Sequence, residues 1–270
     1  MILSERRVTL KSRGQVEKMR TAGRLVADVL DRLSEEVAPG VTTADLDRVA
    51  AEMIRRAGAI PSFVGAPGPL APYRHTICVS IDDEVVHGIP GRRRIEAGEV
   101  VSIDAGAIID GWHGDAARTF VVGEVPAEVA LLVDETKRAL EAGIAAAQPG
   151  RTIGDIAAAV ESVALEHGYG VLREYGGHGI GTEMHEEPFV PNYRGAGRGR
   201  KLEVGLCLAI EPMFTLGRHD VRVRDDGWTV ATVDGSIAAH WEQTIAIMPD
   251  GPEVLTVNGR DVSLSDVRHV

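Results

Sequence analysis

The sequence predicts an α+β protein in which helices cover one face of an antiparallel sheet, and three observations lead there. Pairs of amphipathic helical stretches precede groups of strand-like runs, in place of single strands alternating with single helices. The arrangement occurs twice: Pro39-Gly40-Val41-Thr42-Thr43-Ala44-Asp45-Leu46 resembles Pro149-Gly150-Arg151-Thr152-Ile153-Gly154-Asp155-Ile156, and Gly58 and Gly168 keep the same spacing behind them. The strand-like runs follow one another as meanders, with Asp110-Gly111 a two-residue hairpin turn signal between two of them. We therefore expect one domain over 1–270, in pseudo-symmetric halves of about 15–125 and 126–250.

Each half opens with a helix, at about Gln15 to Val37 and Ala127 to Ala147, where apolar residues such as Met19, Ala22, Val26, Val29, Leu30 and Leu33 recur at helical spacing. Pro-Gly ends it. Thr42 or Thr43, and Thr152, then supply a side-chain acceptor for the first amides of a second helix, which stops at Gly58 or Gly168. Strands follow at about Thr76 to Ile81, Val100 to Ala107 and Ala116 to Val122, and in the second half at Leu206 to Phe214, Thr229 to Val233 and His240 to Met248. Gly195 to Arg200 reads as an exposed loop.

With 44% hydrophobic residues and a mean hydropathy of −0.02, the chain has the composition of an ordinary globular protein. A net charge of −11 argues against nucleic acid or an anionic membrane as partner. Cys78 and Cys207 both lie in apolar runs, which predicts buried thiols in a reducing compartment. Met1 to Arg13 is charged throughout, and no apolar run reaches the roughly 20 residues of a membrane span. A cytoplasmic protein is expected.

The acids carry the chemistry. Asp104 lies in Val100-Val101-Ser102-Ile103-Asp104-Ala105, Glu211 in Leu206-Cys207-Leu208-Ala209-Ile210-Glu211, and Glu242 just before Thr244-Ile245-Ala246-Ile247. An ionised carboxylate inside a sheet costs several kcal/mol unless a counter-charge offsets it. These strands offer no suitably placed Lys or Arg. With Asp110-Gly111 at the tip of a hairpin, Ala105 pairs with Ala116 and Gly106 with Asp115, so Asp104 and Asp115 face the same way as diagonal neighbours.

His178 lies in the glycine-dense Gly176-Gly177-His178-Gly179-Ile180-Gly181, His185 follows in Met184-His185-Glu186-Glu187-Pro188, and His87 sits in Val86-His87-Gly88-Ile89-Pro90. The other histidines, His113 and His240 among them, read as structural. Carboxylates with an imidazole suit Mn, Fe, Co or Zn, and four carboxylates balance two divalent ions, the arrangement of hydrolytic two-metal sites.

His87-Gly88-Ile89-Pro90, Ser102-Ile103-Asp104 with Asp110-Gly111-Trp112-His113-Gly114-Asp115, Gly177-His178-Gly179-Ile180-Gly181 with His185-Glu186-Glu187-Pro188, Ile210-Glu211-Pro212-Met213, and Glu242 together resemble the motif series of type I methionine aminopeptidases. The resemblance runs from about Leu10 to Leu255. It implies the pita-bread fold, internally duplicated helix-pair and antiparallel strand units around a central curved sheet. It also implies a metalloprotease that excises the initiator methionine, through water attack on the first peptide bond, from nascent chains with a small second residue.

By the same resemblance Asp104, Asp115, His178, Glu211 and Glu242 are ligands of two divalent metal ions (Co, Mn, Fe or Zn), with Asp115 and Glu242 bridging. His87 would contact the scissile amide or departing amine, His185 the carbonyl oxygen, and Glu211 would shuttle the proton of the attacking water. Phe63, Tyr73, Cys78, Met184 and Trp228 would line the methionine pocket, and a monomer is expected. The sequence departs from the pattern in a longer, proline-rich Ala66 to Ile77 segment, in Gln243 where histidine is usual, and in Thr182-Glu183. Two other readings are a related pita-bread aminopeptidase with altered first-residue specificity and a non-catalytic peptide-binding protein.

Overall fold

The computed structural model describes residues 8–195 and 197–258; Met1 to Arg7 of the charged N-terminal stretch and Ala196 of the expected loop lie outside them. In chain order the elements are α1 (Arg13–Glu36), α2 (Thr43–Arg56), β1 (Ile60–Pro61), β2 (Ile77–Ile81), β3 (Glu84–Val86), β4 (Val100–Ile109), β5 (Trp112–Val121), α3 (Ala127–Ala146) and α4 (Ile153–His167). There follow β6 (Gly170–Val171), β7 (Gly177–Gly179), β8 (Glu186–Val190), β9 (Cys207–Ile210), β10 (Met213–Thr215), β11 (Val221–Val223), β12 (Val230–Thr232), β13 (Ala238–His240), β14 (Glu242–Met248) and β15 (Gly251–Val254).

The duplicated signals do the same local work in both copies. The Thr42 amide donates to Asp45 Oδ2 at 3.3 Å while the Asp45 amide donates to Thr42 Oγ1 at 3.1 Å, and the Thr152 amide donates to Asp155 Oδ2 at 2.7 Å. Gly58 and Gly168 turn the chain out of α2 and α4 at φ 69° and 72°, a conformation that other residues rarely adopt.

Nine strands form the main antiparallel sheet, in the order β1-β4-β5-β14-β9-β7-β8, with β2 added on β4 and β15 on β14. The first helix pair packs against β2, β4 and β5 through Val26, Leu30, Leu46 and Ile54 on one side and Ile77, Val101, Ile103 and Ala105 on the other. The second pair packs against β9 and β14 through Leu132, Leu140, Ile156 and Val160 on Leu208, Ile210, Ile245 and Ile247. The halves join where β5 pairs with β14, Ala117 opposite Glu242 and Ala116 opposite Gln243. Among the described residues no helix is long and apolar enough to cross a membrane.

Two expected strands are each broken in two. The run Leu206 to Phe214 ends as β9 at Ile210 and resumes as β10 in a different, three-stranded sheet, because Pro212 has no amide to donate to a ladder. The run from His240 divides at Trp241 into the end of β13 and the start of β14, and the Trp241 amide donates to Pro212 O at 3.3 Å, so the breaks face each other. Glu211 and Glu242 sit at these breaks. The segment around His178, read as glycine-dense and without a strand, forms β7 inside the main sheet.

Candidate metal centre

Register alone places the five candidate ligands on one face. Asp104 is opposite Ala117 on β5, and Ala117 is opposite Glu242 on β14. Asp115, paired with Gly106, lies two residues from Ala117 and so points the same way. Gln243 is opposite Ile210, and Glu211 follows Ile210 on the face of Glu242. His178 is opposite Ala209, two residues before Glu211. The alternate residues, Ile103, Ala105, Ile210 and Ile245, face the helices and form the cores described above.

Glycine lets the middle strands come this close. A Cβ on Gly177 would stand 2.2 Å from Ala209 O, and one on Gly179 2.2 Å from Glu187 O, so β7 fits between β8 and β9 only with hydrogen at both positions. Thr244 ties Asp115 in place from β14: its Oγ1 donates to Asp115 O at 2.7 Å and accepts from the Asp115 amide at 3.1 Å. Asn192 Nδ2 donates to Glu211 O at 2.8 Å. Gln243 faces away from the site, where it accepts from Thr256 Oγ1, so this departure leaves the ligand set untouched.

Imidazole and carboxylates converge at metal-ligand spacing. His178 Nε2 is 3.8 Å from Asp115 Oδ2 and 3.7 Å from Glu211 Oε1, and single donor atoms of Asp115, His178 and Glu242 lie within 4.8 Å of one another. His178 Nδ1 lies 2.9 Å from Gly179 O, an acceptor, which places the proton on Nδ1 and turns the Nε2 lone pair to the acids. Asp104 Oδ1, Asp115 Oδ1 and Glu242 Oε1 are buried with no hydrogen-bond partner among the described residues.

The electrostatics carry the same demand. Loss of water raises Asp104 to about 7 and, with the Asp104 charge beside it, Glu211 to about 8. Burial first and the neighbouring carboxylates second push Asp115 and Glu242 well above the carboxylate range. Burial lowers His178 to about 3, so its ring is neutral and free to ligate. Orphaned carboxylate oxygens, a lone pair aimed among them and, among the described residues, no lysine or arginine paired with any of the four acids fit divalent cations.

Beside this cluster opens a cavity of about 380 Å³, and every other candidate site residue lines it: His87, His185, Phe63, Tyr73, Cys78, Met184 and Trp228. His87 adopts a left-handed φ of 60°, its ring edge-on to Tyr175 and Trp228, and burial lowers it to about 4. His185 is exposed to the cavity mouth with its ring 4.4 Å from that of His178. Cys78 pairs with Asp104 across β2 and β4 and so shares its face. The long loop forms one wall: the Tyr73 amide donates to Ala66 O at 2.9 Å and closes it, and Trp228 Nε1 donates to Ala71 O at 3.1 Å.

One histidine read as structural belongs here. His240 is buried, its Nε2 lies 3.7 Å from Glu211 Oε2 and 4.0 Å from Glu242 Oε2, and that nitrogen has no hydrogen-bond partner among the described residues. Its place two residues before Glu242 was a usable signal, since alternate residues of a continuous strand share a face; the break at Trp241 keeps it at the site by a different path. His113, read the same way, is bonded to Ser62 Oγ through Nδ1 at 3.0 Å.

A curled sheet that draws mutually repelling carboxylates from both halves of a duplicated fold, next to a cavity with apolar walls, defines a metal-dependent hydrolase. The model of metallopeptidase family M24 matches residues 17–249. A methionine aminopeptidase of Clostridium acetobutylicum is 47% identical over 251 residues, covering 93% of this chain and 99% of that protein. Methionine aminopeptidase 1 of Mycobacterium tuberculosis is 47% identical over 257 residues, covering 93% of this chain and 95% of that protein. The crystal structure of methionine aminopeptidase from Thermotoga maritima superposes with a TM-score of 0.90 at 39% identity, over 93% of this chain and 100% of that one. The chain belongs to metallopeptidase family M24 and, within it, to the methionine aminopeptidases.

Proposed function

We infer that the protein is a metal-dependent aminopeptidase that removes the N-terminal methionine of polypeptides, acting as a cytoplasmic monomer on nascent chains whose second residue is small. The observation that carries this reading is the meeting of five donor side chains, three of their carboxylate oxygens unpartnered, with a cavity walled by Phe63, Tyr73, Cys78, Met184 and Trp228.

Asp104, Asp115, His178, Glu211 and Glu242 would hold two divalent ions, Co, Mn, Fe or Zn. Such ions supply Lewis acidity that makes water nucleophilic near neutral pH and polarises the scissile carbonyl. Glu211, between the histidines and open to the cavity, accepts the proton of the attacking water and returns it to the departing amine. His185 at the mouth donates to the carbonyl oxygen as charge develops on it, and His87, held neutral above about pH 4, contacts the scissile amide. The substrate's α-amine, with a reference pKa near 8, enters as the neutral base, which restricts attack to the first peptide bond. Tyr73 and Trp228, edge to face at 5.0 Å, and the Cys78 thiol suit the polarisable thioether of methionine.

A panel of tripeptides varying the first and second residues tests this reading. Release of methionine from Met-Gly-Met but not from Met-Leu-Met supports it. Preference for another first residue would point to the rebuilt Ala66 to Tyr73 wall as a specificity change, and release only before proline would replace the assignment with an X-Pro enzyme.

A further inference from the structure

Glu211, the carboxylate that would take the proton of the attacking water, has its two oxygens facing two different histidines. Oε1 is 3.7 Å from His178 Nε2 and Oε2 is 3.7 Å from His240 Nε2. The two rings are not equivalent. His178 has its Nδ1 bonded to Gly179 O and presents a lone pair, whereas His240 Nε2 is buried with no partner of its own. An unpaired buried polar atom is costly, and the carboxylate oxygens that lie within 4.0 Å of it are Glu211 Oε2 and Glu242 Oε2, both acceptors. At 3.7 Å the Glu211 Oε2 contact is too long for a hydrogen bond as it stands, but a proton on His240 Nε2 and a small turn of the Glu211 side chain would close the gap and satisfy both atoms.

The His240 backbone is fixed. Thr119 Oγ1 donates to His240 O at 2.6 Å and accepts from the His240 amide at 3.0 Å, while β13 pairs His240 with Met213 on β10. Glu211 is the more adaptable partner, half-buried at the end of β9 with its backbone oxygen held by Asn192. We propose that His240 is a positioning residue for Glu211: it keeps its proton on Nε2, donates to Glu211 Oε2, and so orients the other oxygen toward the cation-binding cluster around His178. Second-sphere donors of this kind fix the orientation and basicity of the carboxylates that bind a metal. The inference rests on the metal-site reading given above.

The test measures cation binding without substrate. Chelated wild type, His240→Ala and His240→Gln are titrated with Mn(II) by calorimetry and with Co(II) by visible absorption. The proposal expects His240→Ala to bind about 10- to 100-fold more weakly, and His240→Gln, whose amide N–H can also donate to Glu211, to recover most of the loss with an unchanged Co(II) spectrum. Wild-type affinity in His240→Ala overturns it, as does a His240→Gln protein as weak as the alanine variant. A Co(II) spectrum altered in His240→Gln would make His240 a direct ligand and overturn the positioning role. Should His240→Ala fail to fold, His240→Leu, which fills the space without a donor, takes its place, and wild-type affinity in it overturns the proposal. Absence of methionine release by wild type would sink the functional reading while leaving these binding outcomes to judge His240.

Discussion

His178 Nε2 and Asp115 Oδ2 lie 3.8 Å apart, although one comes from the second copy of the repeat and the other from the first. The pair exists because β5 joins β14 at the seam between the halves, and β9 carries β7 to the same face. The site is therefore a property of the joined halves. Asp115→Asn and His178→Ala should each lower methionine release by more than the roughly 100-fold expected for an outer-sphere change. Steady-state hydrolysis of Met-Gly-Met in excess metal checks this, and near-normal rates in either variant would remove that residue from the ligand set.

The approach of β7 to β9 predicts that Gly177→Ala is harmful far beyond the size of a methyl group. The added Cβ would meet the carbonyl of Ala209 at 2.2 Å and cannot rotate away. A destabilisation of about 1–3 kcal/mol, seen in denaturant unfolding, should accompany weakened metal binding as His178 is displaced. Wild-type stability and metal affinity together would show that the strand shifts without cost.

An ion pair holds the turn that carries His185. Lys11 Nζ is 2.6 Å from Glu186 Oε2, with only 2% and 10% of the two side chains exposed, and Glu186 Oε1 accepts from the Thr182 amide at 3.0 Å. Thr9 Oγ1 adds a bond to Glu186 at 2.7 Å, and Gly205 lets the arm pass, since a Cβ there would stand 2.5 Å from Lys11 O. Lys11→Met removes the charge partner of a part-buried carboxylate that keeps its bonds from Thr9 and the Thr182 amide, at a cost of about 1–3 kcal/mol. Chemical denaturation should read this loss, and kcat should fall more than KM rises because the His185 turn loosens. Unchanged unfolding would mean that the pair contributes little.

The metal-free protein should lose stability as pH rises above neutrality. Asp104 and Glu211, raised to about 7 and about 8 from 3.8 and 4.5, keep protons in the folded chain that the unfolded chain has released, so their stabilisation is present at low pH and lost as pH rises through those values. The histidines act the other way at lower pH: His178 and His240 at about 3 and His87 at about 4, against 6.5, cost stability as pH falls below 6.5. From pH 6.5 to about 8 only the carboxylate effect remains. Thermal melts in chelator should show Tm falling across that window, with added Mn(II) raising it most at the upper end; a flat profile would contradict the uncompensated acids.

Much of the site was legible because strand parity is arithmetic. The Asp110-Gly111 turn fixed the pairing of Gly106 with Asp115, and the structure has that register. The breaks at Pro212 and Trp241 were not read, because Leu206 to Phe214 and His240 to Met248 each look like one continuous apolar strand. His240 was missed for a related reason. Its spacing from Glu242 hints at a shared face, but its approach to Glu211 and its backbone bonds to Thr119 come from other strands, which local pattern does not carry. The N-terminal arm was opaque too, since the partner of Lys11 lies beyond β7 at Glu186. Gln243, an apparent departure within the motifs, proved to face the opposite side of the sheet from Glu242.

The central claim is that buried carboxylates and His178 make a cation-dependent site for cleaving after an N-terminal methionine. Free methionine released from Met-Gly-Met by exhaustively chelated protein, measured before and after stepwise return of Co(II) or Mn(II), tests it most directly. The account predicts no release without metal and recovery on its return, abolished by Glu242→Ala. Hydrolysis that survives chelation, or its absence in wild type at every metal tried, would contradict it.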